Sequence, residues 1–281
     1  MRRTAMMKAA AAFAALAVLC GCGGERVERL EWTTMGTVAA VQARVSDGVH
    51  VDCSTVKGRF SEVERLLNAH APQSELSRLA PLAEDEILEK CDVRMRLCYE
   101  TAFRLARESG GAFNPRWRGP GTLDLGAIAK GFAVDFAVEG FSAEADFLVD
   151  LGGNLKATGL KDGARGWTVG VKDPDGDDFV ATVRLKPGEA LATSAEYYRG
   201  KHIYDGRTGK PAQGGVKSVT VLCRSAMLAD GLSTTLFILG PDEGRRFLGE
   251  HGYAGEVTAL FVTQDGVSVC GDESAFSIRR P

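Results

Sequence analysis

Apolar residues recur at two spacings along this chain, and the switch between them sets the predicted elements. Within Phe60–Leu67, Val63, Leu66 and Leu67 share one helical face. That helix is expected to stop before Pro72, and Ser74 is a candidate cap for a second short turn. Val93 to Ser109 carries the strongest helical stripe, with Val93, Leu97, Thr101, Phe103, Leu105 and Ala106 expected to be buried and Gly110-Gly111 ending it. Another helix is expected after Gly126, running through Val138. From there a two-residue alternation takes over. It predicts strands at 147–151, 190–194 and 216–223, and hairpins pairing 167–171 with 179–185 and 257–263 with 267–270. One more strand is expected early, at 38–43, and two helices late, at 226–239 and about 242–250, separated by Gly240-Pro241. Helices and strands do not alternate regularly. The pattern therefore predicts an α+β fold, one large domain with mixed or antiparallel sheets and packed helices, rather than a doubly wound sheet.

The first residues stand outside that pattern. Arg2, Arg3 and Lys8 precede an uncharged run from Ala9 to Leu19, too short to span a bilayer stably. Leu19-Cys20-Gly21-Cys22 resembles a bacterial lipobox, which implies a signal peptide over 1–21, lipid on Cys22, and a tether over 22–30 before a domain spanning 31–281. The alternative is a soluble secreted protein cut nearby. A net charge of −3 argues against a general nucleic-acid binder, and 34 glycines predict many tight turns. Five cysteines follow Cys22, an odd number that leaves at least one thiol unpaired in a monomer. Cys98 and Cys223 fall in a predicted helix and strand, where core packing is expected.

Three stretches carry candidate chemistry. In Thr122–Asp135 an extended segment ends at Asp124, turns at Gly126, and enters a helix bearing Lys130 in its first turns. A helix N-terminus and a lysine suit an anion; an ordinary strand-to-helix turn has the same form. His202-Ile203-Tyr204-Asp205-Gly206-Arg207-Thr208-Gly209 places a proton-accepting histidine three residues before a carboxylate, and serves equally well as a capped β-turn. On a helix, Asp230 and Thr234 share a face and offer two hard oxygens to Mg²⁺, or cap within the helix.

Taken in order with Met35-Gly36-Thr37, Ser74–Leu79, Gly111–Pro115, Leu151-Gly152-Gly153 and Ala192-Thr193-Ser194, these motifs resemble the ApbE family of FAD:protein FMN transferases, whose fold is T-fold-related. The resemblance implies that Asp124 and Lys130 contact FAD. It also implies that the Ala127 carbonyl, Asp230 and Thr234 hold Mg²⁺, with help from the Ser233 region. Met35 and the Tyr204 backbone would line the flavin or adenine site, and His70 falls where the family often has tyrosine. His202, aided by Asp205, would take the proton from the acceptor hydroxyl. The implied reaction moves FMN from FAD to a threonine of an acceptor protein, such as a subunit of a redox membrane complex, and releases AMP. The enzyme would sit lipid-anchored on the extracytoplasmic or periplasmic face of a membrane in the bacterial envelope. The alternatives are FAD pyrophosphatase action and FAD binding without turnover.

Departures from the family pattern carry their own expectations. Gly206 in place of proline should loosen its turn, and Ala195 stands where glycine is common and positive φ is expected. Asn114 replaces a common aspartate, and the short segment 115–122 should leave the dinucleotide more exposed.

Overall fold

The computed structural model describes residues 25–46, 50–139, 146–159, 166–196 and 202–279. Cys22 and the expected signal peptide lie outside the described residues. Among the described residues, thirteen strands and six α-helices build three layers around two apolar clusters.

The middle layer is an eight-stranded sheet in the order β1-β2-β3-β4-β7-β10-β11-β12, with every named ladder antiparallel. Its strands are β1 (Glu25–Thr34), β2 (Thr37–Ser46), β3 (Phe147–Leu151), β4 (Asn154–Ala157), β7 (Ala190–Ala195), β10 (Val216–Cys223), β11 (Thr258–Thr263) and β12 (Gly266–Cys270). One face of this sheet packs on α1 (Ser54–Leu67), α4 (Arg96–Glu108), α5 (Ala129–Val138) and α6 (Ala226–Glu250). The other face sends Leu148, Leu155, Leu191 and Leu260 into contact with a three-stranded sheet of β13 (Phe276–Ile278), β6 (Phe179–Leu185) and β5 (Trp167–Lys172). Period-two alternation explains why one strand serves both layers: Ala190 and Ala192 of β7 face the helices and Leu191 faces the small sheet. The remaining elements are the short helices α2 (Glu75–Leu79) and α3 (Glu84–Lys90) and the two-residue strands β8 (Tyr204–Asp205) and β9 (Lys210–Pro211).

Several expectations change here. Residues 25–30, expected as tether, belong to β1, which pairs with β2 from Glu25 to Thr34. The two strands are joined across Met35 and Gly36, both at positive φ (49° and 68°), as a two-residue type I′ hairpin turn requires. Of the expected α4 stripe, Thr101, Phe103 and Leu105 are buried, but its start is not. Val93 and Leu97 are 81% and 57% exposed, and Met95, Cys98, Tyr99, Ala102 and Leu105 make the buried face. Those five follow the three-and-four spacing of one helical side, which Val93 and Leu97 leave. Ala195 is an ordinary strand residue opposite Ser218, with no positive φ. The break at Gly240 is as expected: the backbone leaves helical geometry at φ 77° before Pro241, inside the 226–250 span. All five described cysteines are free thiols, four of them buried.

Candidate functional site

The site begins where the chain enters α5. Leu123, Leu125 and Ile128 are buried and anchor the approach. Asp124 Oδ1 accepts from the Gly126 N–H (2.9 Å), which bends the backbone there, and the Leu125 carbonyl accepts from Ile128 and Ala129. Lys130 then reaches back. Its Nζ donates to the Gly126 carbonyl at 3.2 Å and lies 3.4 Å from both carboxylate oxygens of Asp230.

Asp230, on α6, is 4% exposed and accepts from the Gly131 N–H of α5 at 2.9 Å. Burial of a carboxylate demands such partners, and the lysine and the amide supply them. The two helices meet at Gly131 so closely that a Cβ there would overlap the Ala226 carbonyl and the Asp230 side chain. One turn along α6, Ser233 Oγ donates to the Asp230 carbonyl (2.9 Å). Ser194, on β7, brings its hydroxyl to 2.8 Å from Ser233 Oγ and 3.1 Å from Thr234 Oγ1. The result is one buried carboxylate, three hydroxyls, turn carbonyls and an ammonium gathered from three distant segments.

A second arm comes from the 202–211 loop. Ile203 is buried, and its carbonyl accepts from Ala212. Tyr204 stacks on Trp117 (4.1 Å between centroids, 13° between planes), Arg118 lies over Trp117, and Arg118 pairs with Asp124 at 3.3 Å. These contacts link the loop to the α5 approach. Asp205 is engaged by Arg207 through Nε (2.9 Å to Oδ1) and Nη2 (2.8 Å to Oδ2), which holds its carboxyl below the usual range. Gly206 does not loosen the turn. Its N–H donates to the Ala112 carbonyl (2.9 Å), a bond proline cannot make, and a Cβ there would overlap Asn114.

Of the residues singled out in the sequence, Asp124, Lys130, Asp230, Ser233 and Thr234 converge, and Ala127 lies in the turn that Lys130 closes. Tyr204 joins through Trp117 and Arg118, and Asp205 beside it is engaged by Arg207. His202 is exposed at the start of the same loop. Met35 sits in the β1–β2 turn, and just past that turn the Val38 carbonyl accepts from the Gly152 N–H. His70 is exposed after α1, its own N–H capped by Asn68 Oδ1, outside this network among the described residues. Ser194 had a signal in the sequence, the Ala-Thr-Ser motif, without a role attached. Trp117 and Arg118 had none, because an aromatic in a loop says nothing about what it stacks on.

Among the described residues no three of His, Cys, Asp and Glu cluster as a metal site. The donor set here is instead one carboxylate with hydroxyl and carbonyl oxygens, which matches a hard cation sharing its coordination with ligand oxygens. The fold and site thus define an α+β protein that gathers a buried carboxylate, hydroxyl oxygens and a lysine at the junction of two helix starts. The ApbE family model matches residues 117–261, and a Treponema pallidum FAD:protein FMN transferase is 30% identical over 88% of this chain and 89% of its own length. The chain belongs to the ApbE family. A Rhodobacter capsulatus FAD:protein FMN transferase is 37% identical over 51% of this chain, a match spanning 28% of that protein. The apo crystal structure of the Pseudomonas stutzeri flavinyl transferase ApbE superposes with a TM-score of 0.72 at 22% identity, covering 91% of this chain and 97% of that one.

Proposed function

We propose that this chain is a Mg²⁺-dependent transferase that moves FMN from FAD to a threonine hydroxyl of an acceptor protein and releases AMP. The observation that carries the reading is a chain of contacts: Lys130 bridges the Gly126 carbonyl beside Ala127 to the buried Asp230 carboxylate, Ser233 bonds the Asp230 carbonyl, and Ser194 meets the Ser233 and Thr234 hydroxyls. The names of the relatives point the same way.

The Ala127 carbonyl, Asp230 and Thr234, with Ser233, would hold Mg²⁺, which when bound would neutralise diphosphate charge as the phosphorus–oxygen bond breaks. Lys130 and Asp124 would fix FAD, the lysine adding positive potential where negative charge gathers. Met35 and the Tyr204 backbone would bound the flavin or adenine. His202 would take the acceptor hydroxyl's proton. Asp205, already engaged by Arg207, would fix the turn that carries His202.

The lipobox-like Leu19–Cys22 supports an anchor on the outer side of a bacterial membrane, where an acceptor subunit of a redox complex would be met. The test is incubation with FAD, Mg²⁺ and an acceptor peptide, read by mass spectrometry. FMN on the threonine and free AMP are expected. Free FMN plus AMP with unmodified peptide would replace transfer by hydrolysis, and intact FAD would overturn turnover altogether. Asp230→Ala should lose metal and activity together. His202→Ala should still bind FAD while slowing transfer by about 10²–10⁴-fold.

A further inference from the structure

The α5–α6 pair holds a second, partly buried arrangement around a carboxylate, Asp135, which the proposed chemistry does not use. Its Oδ2 accepts from Ser225 Oγ (2.7 Å) and the Met227 N–H (2.9 Å); its Oδ1 accepts from the Ala226 N–H (3.1 Å) and Lys156 Nζ (2.6 Å). Ser225 is itself the N-cap of α6, accepting from the Leu228 N–H at 3.1 Å. The opening N–H groups of α6 are therefore satisfied by a side chain of α5 and by its own cap. In return, Asp230 of α6 accepts from the Gly131 N–H of α5. Each helix caps the other with an aspartate, and Gly131, with no Cβ to meet the Ala226 carbonyl, lets them pack this closely. Lys156, on β4, ties the joint to the sheet, donating also to the Arg224 carbonyl at 3.0 Å.

This joint bears on the metal ligands by position. Asp230 lies four residues after Ala226, one turn beyond the capped end. The other hydroxyl partner, Ser194, stands on the sheet rather than on a helix. A slide or tilt of α6 would therefore carry Asp230 and Thr234 away from Ser194 and the Ala127 turn together. Mg²⁺ demands near-ideal octahedral geometry at short range, so small displacements are felt. We propose that Asp135 is a positioning residue for the metal ligands of α6, holding its first turn against α5 so that Asp230 and Thr234 stay within reach of one ion. The proposal rests on reading Asp230 as a metal ligand.

Mn²⁺ is the probe, with free ion measured by electron paramagnetic resonance during titration of the unliganded protein. Asp135→Asn puts a donor amide among four donors and should weaken Mn²⁺ binding about tenfold or more, as loss of supporting contacts does at metal sites. Lys156→Met leaves the Ser225, Ala226 and Met227 contacts in place and should stay within about twofold of wild type. A purely structural role would lower the unfolding temperature of Asp135→Asn and leave the folded protein's Mn²⁺ affinity unchanged, and that result overturns the proposal. Equal weakening in Lys156→Met overturns it too, since the lost lysine rather than the cap would then be responsible. If Asp135→Asn does not fold, Ser225→Ala carries the test: a clear loss of Mn²⁺ affinity supports the proposal and unchanged affinity ends it. Wild-type protein that binds no Mn²⁺ overturns the metal reading itself, a failure distinct from one confined to the variants.

Discussion

Asp150 of β3 lies opposite Ala40 of β2, which in turn lies opposite Glu31 of β1. Burial pushes its carboxyl up to about 6; the Gly153 N–H and Arg29 oppose the rise and Glu31 adds to it. Between the ordinary aspartate value, about 4, and that raised one, the folded chain holds a proton that the unfolded chain has released. Stability from this group therefore falls as pH rises through the window. Asp150→Asn keeps an acceptor for the Gly153 N–H and removes the charge. Its urea midpoint should match wild type near pH 4 and exceed it at pH 7, by the same linkage; parallel profiles would clear Asp150 of the effect. Gly131 makes the opposite kind of demand, for space. Gly131→Ala should lose about 1–3 kcal/mol in urea unfolding, because the added methyl has backbone rather than a mobile side chain to push against.

At the scale of elements, the 202–211 loop is docked on the 111–117 turn by a hydrogen bond, a close approach at Gly206 and an aromatic stack. Gly206→Pro, which restores the commoner family residue, should therefore destabilise this protein by about 1–3 kcal/mol, since the buried Ala112 carbonyl loses its donor. Thermal unfolding followed by tryptophan fluorescence would show it; an unchanged midpoint would mean the turn is as loose as the sequence alone suggests. The same scale shows what was legible. β3 and the β5–β6 and β11–β12 hairpins follow from period-two runs bounded by turn residues, and α5 and the break at Gly240 from glycine and proline placement. β1 was not legible, because Glu28, Arg29 and Glu31 dilute its apolar pattern and its turn places a methionine where glycine or asparagine is the usual signal. The burial of α4 was only partly legible: the expected stripe held Thr101, Phe103 and Leu105, which are buried, but took in Val93 and Leu97 and passed over Met95, Cys98 and Ala102. Leu97 lies off the face that Cys98, Tyr99 and Ala102 define.

For the molecule as a whole, motifs are visible in the sequence but adjacency is not. Lys130 and Asp230 are a hundred positions apart, and Ser194 comes from a strand between them. Only the packing of α6 on both α5 and β7 brings them together, and only side-chain geometry shows Arg207 engaging both oxygens of Asp205. No described helix is long and apolar enough to cross a membrane. Cys22→Ser should abolish incorporation of labelled palmitate and move the protein from the membrane fraction to the soluble one. Label retained by that variant would refute the anchor. The ammonium of Lys130, resting between the Asp230 carboxylate and the Gly126 carbonyl, has a consequence for how this protein matures. A pocket that supplies its own counterion carries no bare negative charge while it waits, so the chain can reach its native shape before any guest arrives.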